Sequence, residues 1–88
     1  MADEGPFRYR TDVLRRLWAH GVQPHERTRP ELAREFVRDL YKYQIRRLRE
    51  GLLRSEFPRD TYAGRVDELR RQYPVLALRA RDWLEREK

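Results

Sequence analysis

The sequence predicts an all-α fold, a small antiparallel bundle of about four helices with a long second helix as its spine. Apolar residues recur at the three- and four-residue spacing of amphipathic helices. No segment alternates apolar and polar residues over the length of a strand, and no Asn-Gly or Asp-Gly pair marks a hairpin turn. Prolines at 24, 58 and 74 separate the periodic segments. The predicted helices span about 12–20, 29–54, 59–72 and 75–86.

A chain of 88 residues forms one domain. We expect residues 1–10 to be a flexible leader and residues 11–88 to be a single helical domain, because Gly5-Pro6 is incompatible with a helix interior. Within the leader, Phe7 and Tyr9 either dock onto the body or form part of a partner site. Thr11 is the predicted N-cap of the first helix. Gly21 can take the left-handed conformation that follows a helix end. The apolar stripe of this helix is Val13, Leu14, Leu17 and Trp18.

The second helix begins with the clearest start signal in the chain. Thr28 and Glu31 have the spacing of a capping box, and Pro30 suits a first turn. The apolar stripe of this helix migrates around its axis, with its first half centred near Phe36 and Leu40 and its second half near Leu48. We therefore expect the helix to pack against two neighbours, one on each half.

The third and fourth helices are short. Pro58 and Pro74 each disfavour helix at the residue before them, which separates helices 2, 3 and 4. The fourth helix is expected to bury Leu76, Ala80, Trp83 and Leu84. Val75 and Leu78 lie off that stripe. They are expected either to pack at the corner between helices 3 and 4 or to remain exposed for a partner.

The composition excludes several classes of protein. There is no cysteine, and therefore no disulfide framework or cysteine metal site. No window approaches about 18 uninterrupted apolar residues, so no membrane span is expected. The acidic start of the chain lacks the apolar core of a signal peptide. We expect a cytoplasmic location.

Catalytic and metal-binding chemistry is not expected. His20, His25 and Glu26 have a spacing that allows a pair of ligands, but Gly21 and Pro24 interrupt the helix that would align them. The one serine, Ser55, is far in sequence from either histidine. The glycines are isolated, so no glycine-rich loop cradles a phosphate. We therefore expect no enzyme activity, cofactor, metal or small-molecule ligand.

The charge is lopsided, with 19 arginines, 2 lysines and a net charge of +6. These arginines either reflect a surface habit or bind a polyanion through bidentate contacts. The densest cluster lies on the second helix, where Tyr41 and Tyr43 are interleaved with cations that could contact phosphates while the rings stack on bases. The candidate polyanion-binding residues are Arg38, Lys42, Arg46, Arg47, Arg49 and Arg54.

The aromatic and apolar content favours an interaction surface. Two Trp, five Tyr and three Phe are many for a chain this short. Either four helices bury them all, or some remain exposed and bind another helix or a second copy. The candidate partner-binding residues are Phe7, Val75, Leu78 and Trp83.

Residues 45–73 predict a helix, a tight break and a short second helix. The pattern is carried by Leu48, Leu52, Ser55-Glu56-Phe57-Pro58, Tyr62, Val66 and Leu69. This layout resembles the SHOCT (short C-terminal) domain, a helical hairpin. Ser55 stands where that family has a turn glycine, and residues 59–61 replace its acidic run. The resemblance implies an element of oligomerisation or interaction rather than a catalyst.

Two functions are therefore predicted from the sequence. The first is a non-enzymatic helical interaction module that binds a second copy or a protein partner through apolar helix faces. The alternative is a basic protein that binds nucleic acid or another polyanion through the arginine-rich ridge of the second helix.

Overall fold

Three α-helices and three short 3-10 turns form the fold. The computed structural model describes residues 6–86. Helix α1 spans Thr11–Ala19, α2 spans Pro30–Leu53 and α3 spans Tyr62–Arg71. The 3-10 turns are Arg59–Thr61, which leads directly into α3, Pro74–Ala77 and Ala80–Trp83. The predicted all-α class is confirmed, because the described residues contain no strand beyond one isolated antiparallel bridge between Tyr9 and Leu84.

The starts of α1 and α2 differ from the predicted caps. Thr11 is the first residue of α1 rather than its cap, and Arg10 precedes it in an extended conformation without a side-chain capping bond. Arg29 precedes α2 in the same way. The Thr28 hydroxyl accepts a hydrogen bond from the backbone N–H of His25 instead. The capping box is therefore not formed, because the Thr28 hydroxyl bonds the backbone of the loop that precedes α2.

The predicted fourth helix is wrong, because two 3-10 turns stand in its place. Leu78 and Arg79 are extended between them. The Arg34 guanidinium donates hydrogen bonds to the carbonyls of Leu76 (2.7 Å) and Leu78 (2.9 Å), and Trp83 Nε1 donates to the carbonyl of Val75 (3.0 Å). These side chains satisfy carbonyls that a continuous helix would bond within itself. Consequently, the described chain is not a four-helix antiparallel bundle.

The core forms where the C-terminal turns meet α1, α2 and the N-terminal segment. Its fully buried large side chains are Trp83, Leu17, Val13, Val37 and Val75. Tyr9 is buried with them, and the backbone N–H groups of Phe7 and Arg10 donate to the carbonyls of Glu26 (2.7 Å) and Trp83 (2.9 Å). Residues 7–10, predicted as part of a flexible leader, therefore pack on the body. Residues 1–5 of that predicted leader lie outside the described residues.

The second half of α2 packs against α3. Leu69 is the buried residue of α3, and Phe57 lies over Gly51, where an added Cβ would come within 2.9 Å of its ring. An aromatic series joins the residues that follow α1 and α3 to α2, since His20 stacks on Tyr73 with ring centres 4.1 Å apart, and Tyr73 meets Tyr41 edge to face at 5.3 Å. Within the described residues, no helix is long and apolar enough to cross a membrane.

Helices α1 and α2 end in the same backbone arrangement with different residues. Gly21 follows α1 with φ +79°, and Ser55 follows α2 with φ +58°. At each end, the left-handed residue and the residue after it donate their N–H groups to carbonyls of the last helical turn. The bonded pairs are Gly21 to Trp18 and Val22 to Leu17 after α1, and Ser55 to Leu52 and Glu56 to Gly51 after α2. This is a Schellman ending, and a left-handed residue with a side chain costs about 1–2 kcal/mol relative to glycine.

We expect Ser55→Gly to raise the free energy of unfolding by about 0.5–1 kcal/mol, because removing the left-handed strain outweighs the added freedom of the unfolded chain. Gly21→Ala should lower the free energy of unfolding by about 1 kcal/mol, because alanine is strained in the left-handed conformation. An added Cβ at this position meets no atom within 4 Å, so no steric clash adds to that cost. Urea denaturation followed by circular dichroism measures both. Destabilisation by Ser55→Gly would contradict this account.

Candidate functional site

An apolar stripe runs along the exposed side of the first half of α2. The side chains of Leu32, Phe36, Leu40 and Tyr43 are 51%, 58%, 38% and 53% exposed. At 100° per residue these four positions lie within about 80° of one another. The buried positions Ala33 and Val37 centre about 85° away around the same helix. We call these four side chains the α2 stripe.

The α2 stripe is as large as the largest apolar patch on a typical monomeric protein. The exposed fractions together equal two whole side chains. At about 200 Å² for a large side chain, the stripe presents roughly 400 Å² of apolar surface. The largest apolar patch on a monomeric protein is typically about 300–600 Å² and is often functional. Burying this area would contribute on the order of 10 kcal/mol before the costs of association.

A groove of about 470 Å³ lies beside the stripe, between α2 and the loop that follows α1. Phe36 and Leu40 belong to both the groove and the stripe. The loop supplies the opposite wall, and Asp39 is the carboxylate at the rim. The lining residues are His20, Gly21, Val22, Gln23, Pro24, Thr28, Ala33, Phe36, Asp39 and Leu40.

Hydrogen bonds hold the loop wall of the groove in place. The Tyr9 hydroxyl donates to the carbonyl of Thr28, and the Phe7 N–H donates to that of Glu26. At the other end of the loop, His20 Nε2 lies 2.8 Å from the carbonyl of Gln72 while its ring stacks on Tyr73. Both ends of the wall are thus tied to the body, so the groove is shaped before any ligand arrives.

The residues predicted to bind a partner are mostly internal. Trp83 and Val75 are fully buried in the core, because the C-terminal segment folds back instead of continuing as a helix. They are therefore not available to a partner on this surface. Phe7 and Leu78 are half-buried against the core. The structure does not bring these four residues together as an exposed patch.

The predicted basic residues divide between two faces of α2. Arg38, Lys42, Arg46 and Arg49 lie within about 80° of one another and form the basic ridge, centred about 120° from the α2 stripe. All four are exposed, and among residues 6–86 no carboxylate lies within 4 Å of their charged groups.

The other two predicted cations are not part of this ridge. Arg47 lies on the face of the α2 stripe, with its guanidinium carbon 6.0 Å from the centre of the Tyr43 ring. Arg54 follows the end of α2, and its guanidinium is 3.9 Å from the carboxylate of Glu56. The basic ridge thus contains four of the six predicted cations.

The histidines have structural partners. His20 contacts Gln72 and Tyr73, and the His25 ring nitrogen Nδ1 accepts a hydrogen bond from the backbone N–H of Arg27. Within residues 6–86 no group of three or more His, Asp or Glu side chains is arranged to hold a metal ion. Ser55 lies in the turn after α2.

The sequence contained the signal for the α2 stripe. Phe36 and Leu40 were predicted to centre the packing face of the first half of the helix, and the structure leaves them exposed. The segment carries two apolar faces, and the smaller side chains of Ala33 and Val37 are the ones that face the core. Periodicity alone reports that a face is apolar, and not whether anything covers it.

No protein-family model matches the chain, and neither a curated protein nor a solved structure shows significant similarity to it.

Tyr9 ties the N-terminal segment to the groove wall, and its ionisation should loosen both. Burial, with a smaller contribution from the Glu31 carboxylate, raises the pKa of Tyr9 from 10.0 to about 12. A group with a raised folded pKa stabilises the fold fully below its unfolded pKa and ceases to do so as the pH passes the folded value. Stability is therefore lost between about pH 10 and pH 12.

We expect the free energy of unfolding to fall over this range by on the order of 2 kcal/mol, and by less in Tyr9→Phe. Urea denaturation at a series of pH values measures the fall, and ultraviolet absorbance at 295 nm follows the phenolate. Tyr43→Phe, which alters an exposed ring, is the control. Equal slopes in Tyr9→Phe and in the parent would contradict the assignment.

Proposed function

We propose that this chain is a non-enzymatic interaction module that binds a protein, either a second copy or a different chain, through the α2 stripe. The observation that carries the proposal is the exposure of four large apolar side chains on one face of a single helix. Helix faces with this spacing bind another helix by packing apolar side chains between their own. The resemblance of residues 45–73 to the SHOCT hairpin points in the same direction and stays a prediction.

The surroundings of the α2 stripe also suit a protein partner. The adjoining groove offers a concave site for a large side chain, and the ties at Tyr9 and His20 hold its wall in one position. A preformed site loses less entropy on binding than a mobile one. Asp39 and Arg47 lie beside the apolar side chains, so charge can set the orientation of the partner.

Photo-crosslinking tests the proposal without knowledge of the partner. A chain carrying benzoylphenylalanine at position 36 is irradiated alone and in an extract of the source cells, and the adducts are resolved by mass. The control carries the same group at Leu53, which is 71% exposed, lies about 25 Å further along α2 than Phe36 and is outside the stripe. We expect about tenfold more adduct at 36 than at 53, because binding energy concentrates at central apolar contacts.

An adduct of twice the mass of the chain identifies a second copy, and an adduct of another mass identifies a different protein. Introducing Phe36→Glu into a chain that carries the crosslinker at position 40 should abolish either adduct, whereas Leu53→Glu should not. Equal labelling at 36 and 53, or no adduct at all, would refute the proposal.

The second candidate function, binding of a polyanion, is favoured by one specific observation. The four cations of the basic ridge are exposed on one face and lack an ion pair among the described residues. Such a row can follow a phosphate backbone, and the affinity then falls steeply with salt. The ridge does not overlap the α2 stripe, so the two functions need not compete.

Fluorescence anisotropy with duplex DNA and with single-stranded RNA tests this second function. If the ridge binds phosphates, Lys42→Glu with Arg46→Glu should weaken binding about 100-fold and lower the salt slope by about two. Arg15→Glu with Arg16→Glu changes the net charge equally on exposed residues of α1 and is the matched control. Equal losses in the two double variants would show that only the net charge matters.

A further inference from the structure

We infer that the occupant of the α2 stripe is a second copy of the same chain, with the two α2 helices antiparallel across a twofold axis. This inference rests on the proposed function of the stripe and names its partner. The first observation is the register of the stripe. Residue numbers 32 and 43 average 37.5, and 36 and 40 average 38, so the four positions are nearly symmetric about one point of the helix.

Symmetry about a point is what an antiparallel pairing requires. In an isologous contact every residue meets the residue at the mirrored distance from the axis. Leu32 then faces Tyr43 of the other copy, and Phe36 faces Leu40 of the other copy. Every apolar side chain of the stripe meets another one. A staggered pairing would leave some of them against the polar turns that follow Tyr43, and a parallel, in-register pairing would set each residue against its own copy.

The groove adds a second apolar contact to the pairing of the two helices. Leu40 lies at its edge beside Val22 and Pro24 of the loop. Because Phe36 of the second copy faces Leu40, its ring is placed at the mouth of the groove. A volume of about 470 Å³ is ample for one aromatic side chain. Phe36 of each copy is thus placed at the groove of the other copy.

The available area matches what such a dimer needs. A stable protein interface buries about 1,600 Å² in total, and about 65% of a homodimer interface is apolar, which is roughly 1,000 Å². Two copies of the α2 stripe supply roughly 800 Å² of apolar surface, from the exposed fractions of the four side chains. The stripe therefore provides about four fifths of the apolar part of a standard homodimer interface.

The pairing has one unfavourable feature, and it provides a diagnostic test. Asp39 lies at one edge of the stripe, about one residue from the symmetry point. An antiparallel twofold places the same edge of both helices side by side, so the two Asp39 carboxylates approach each other. Removing this repulsion by Asp39→Asn should tighten the dimer about two- to fivefold. If the partner were instead a helix of a different protein with a cation opposite Asp39, Asp39→Asn should weaken its binding.

Sedimentation equilibrium of the purified full chain over a range of concentrations tests the dimer directly. We expect a reversible monomer–dimer equilibrium that Phe36→Glu weakens at least about tenfold and that the matched control Leu53→Glu leaves unchanged. Circular dichroism verifies that both variants keep their helices. A chain that stays monomeric up to millimolar concentration, or that associates equally in both variants, overturns the inference.

The natural absence of cysteine makes the orientation measurable. Leu32→Cys should not form a disulfide with itself, because the two copies of position 32 are about 17 Å apart along an antiparallel pair. A mixture of Leu32→Cys with Tyr43→Cys should form one readily. Self-crosslinking of Leu32→Cys would overturn the antiparallel arrangement. If the purified chain is monomeric and photo-crosslinking at position 36 captures a different protein, the proposed function stands and this inference fails.

Discussion

The fold depends on the burial of one side chain, the indole of Trp83. The ring is fully buried and donates its N–H to the carbonyl of Val75 at 3.0 Å, which folds the C-terminal segment back on itself. An indole N–H buried without an acceptor would cost about 1–3 kcal/mol, so this bond is a condition for placing the ring in the core. The backbone of Trp83 then bonds Arg10, and the following residue pairs with Tyr9. The N-terminal segment is positioned by the same contact.

The way the C-terminal segment packs explains why the α2 stripe is exposed. The 3-10 turns lie against the face of α2 that carries Ala33 and Val37, and α3 packs on the second half of the helix. Helix α1 packs against the turn Pro74–Ala77. The loop that follows α1 lies along one side of Phe36 and Leu40, and no described element packs over their outer face. A 24-residue helix presents more apolar surface than the remaining chain covers, and four of its five most exposed large apolar side chains lie on one side.

Local signals in the sequence predicted three helices and their ends, and tertiary contacts decided the rest. Proline and glycine placed the ends of α1, α2 and α3 to within a few residues, because their backbone restrictions act locally. The fourth helix was wrong because Arg34, more than forty residues earlier, bonds carbonyls that the helix needed. Trp83 is buried rather than exposed for a partner, because the C-terminal segment folds back and its indole bonds the carbonyl of Val75. Helical spacing alone predicts the basic ridge, and it also places Arg47 away from the ridge, on the face of the α2 stripe.

The two candidate surfaces are geometrically linked if the chain dimerises as inferred. The basic ridge is centred about 120° from the α2 stripe on the same helix. An antiparallel twofold brings the same edges of the two helices together, so both ridges lie on one side of the dimer. Each copy then contributes four exposed cations to a common surface. A polyanion long enough to touch both ridges would bind with the gain of a bivalent contact, and its affinity would depend on protein concentration. An apolar stripe and a basic ridge on one helix are therefore compatible with a single assembly.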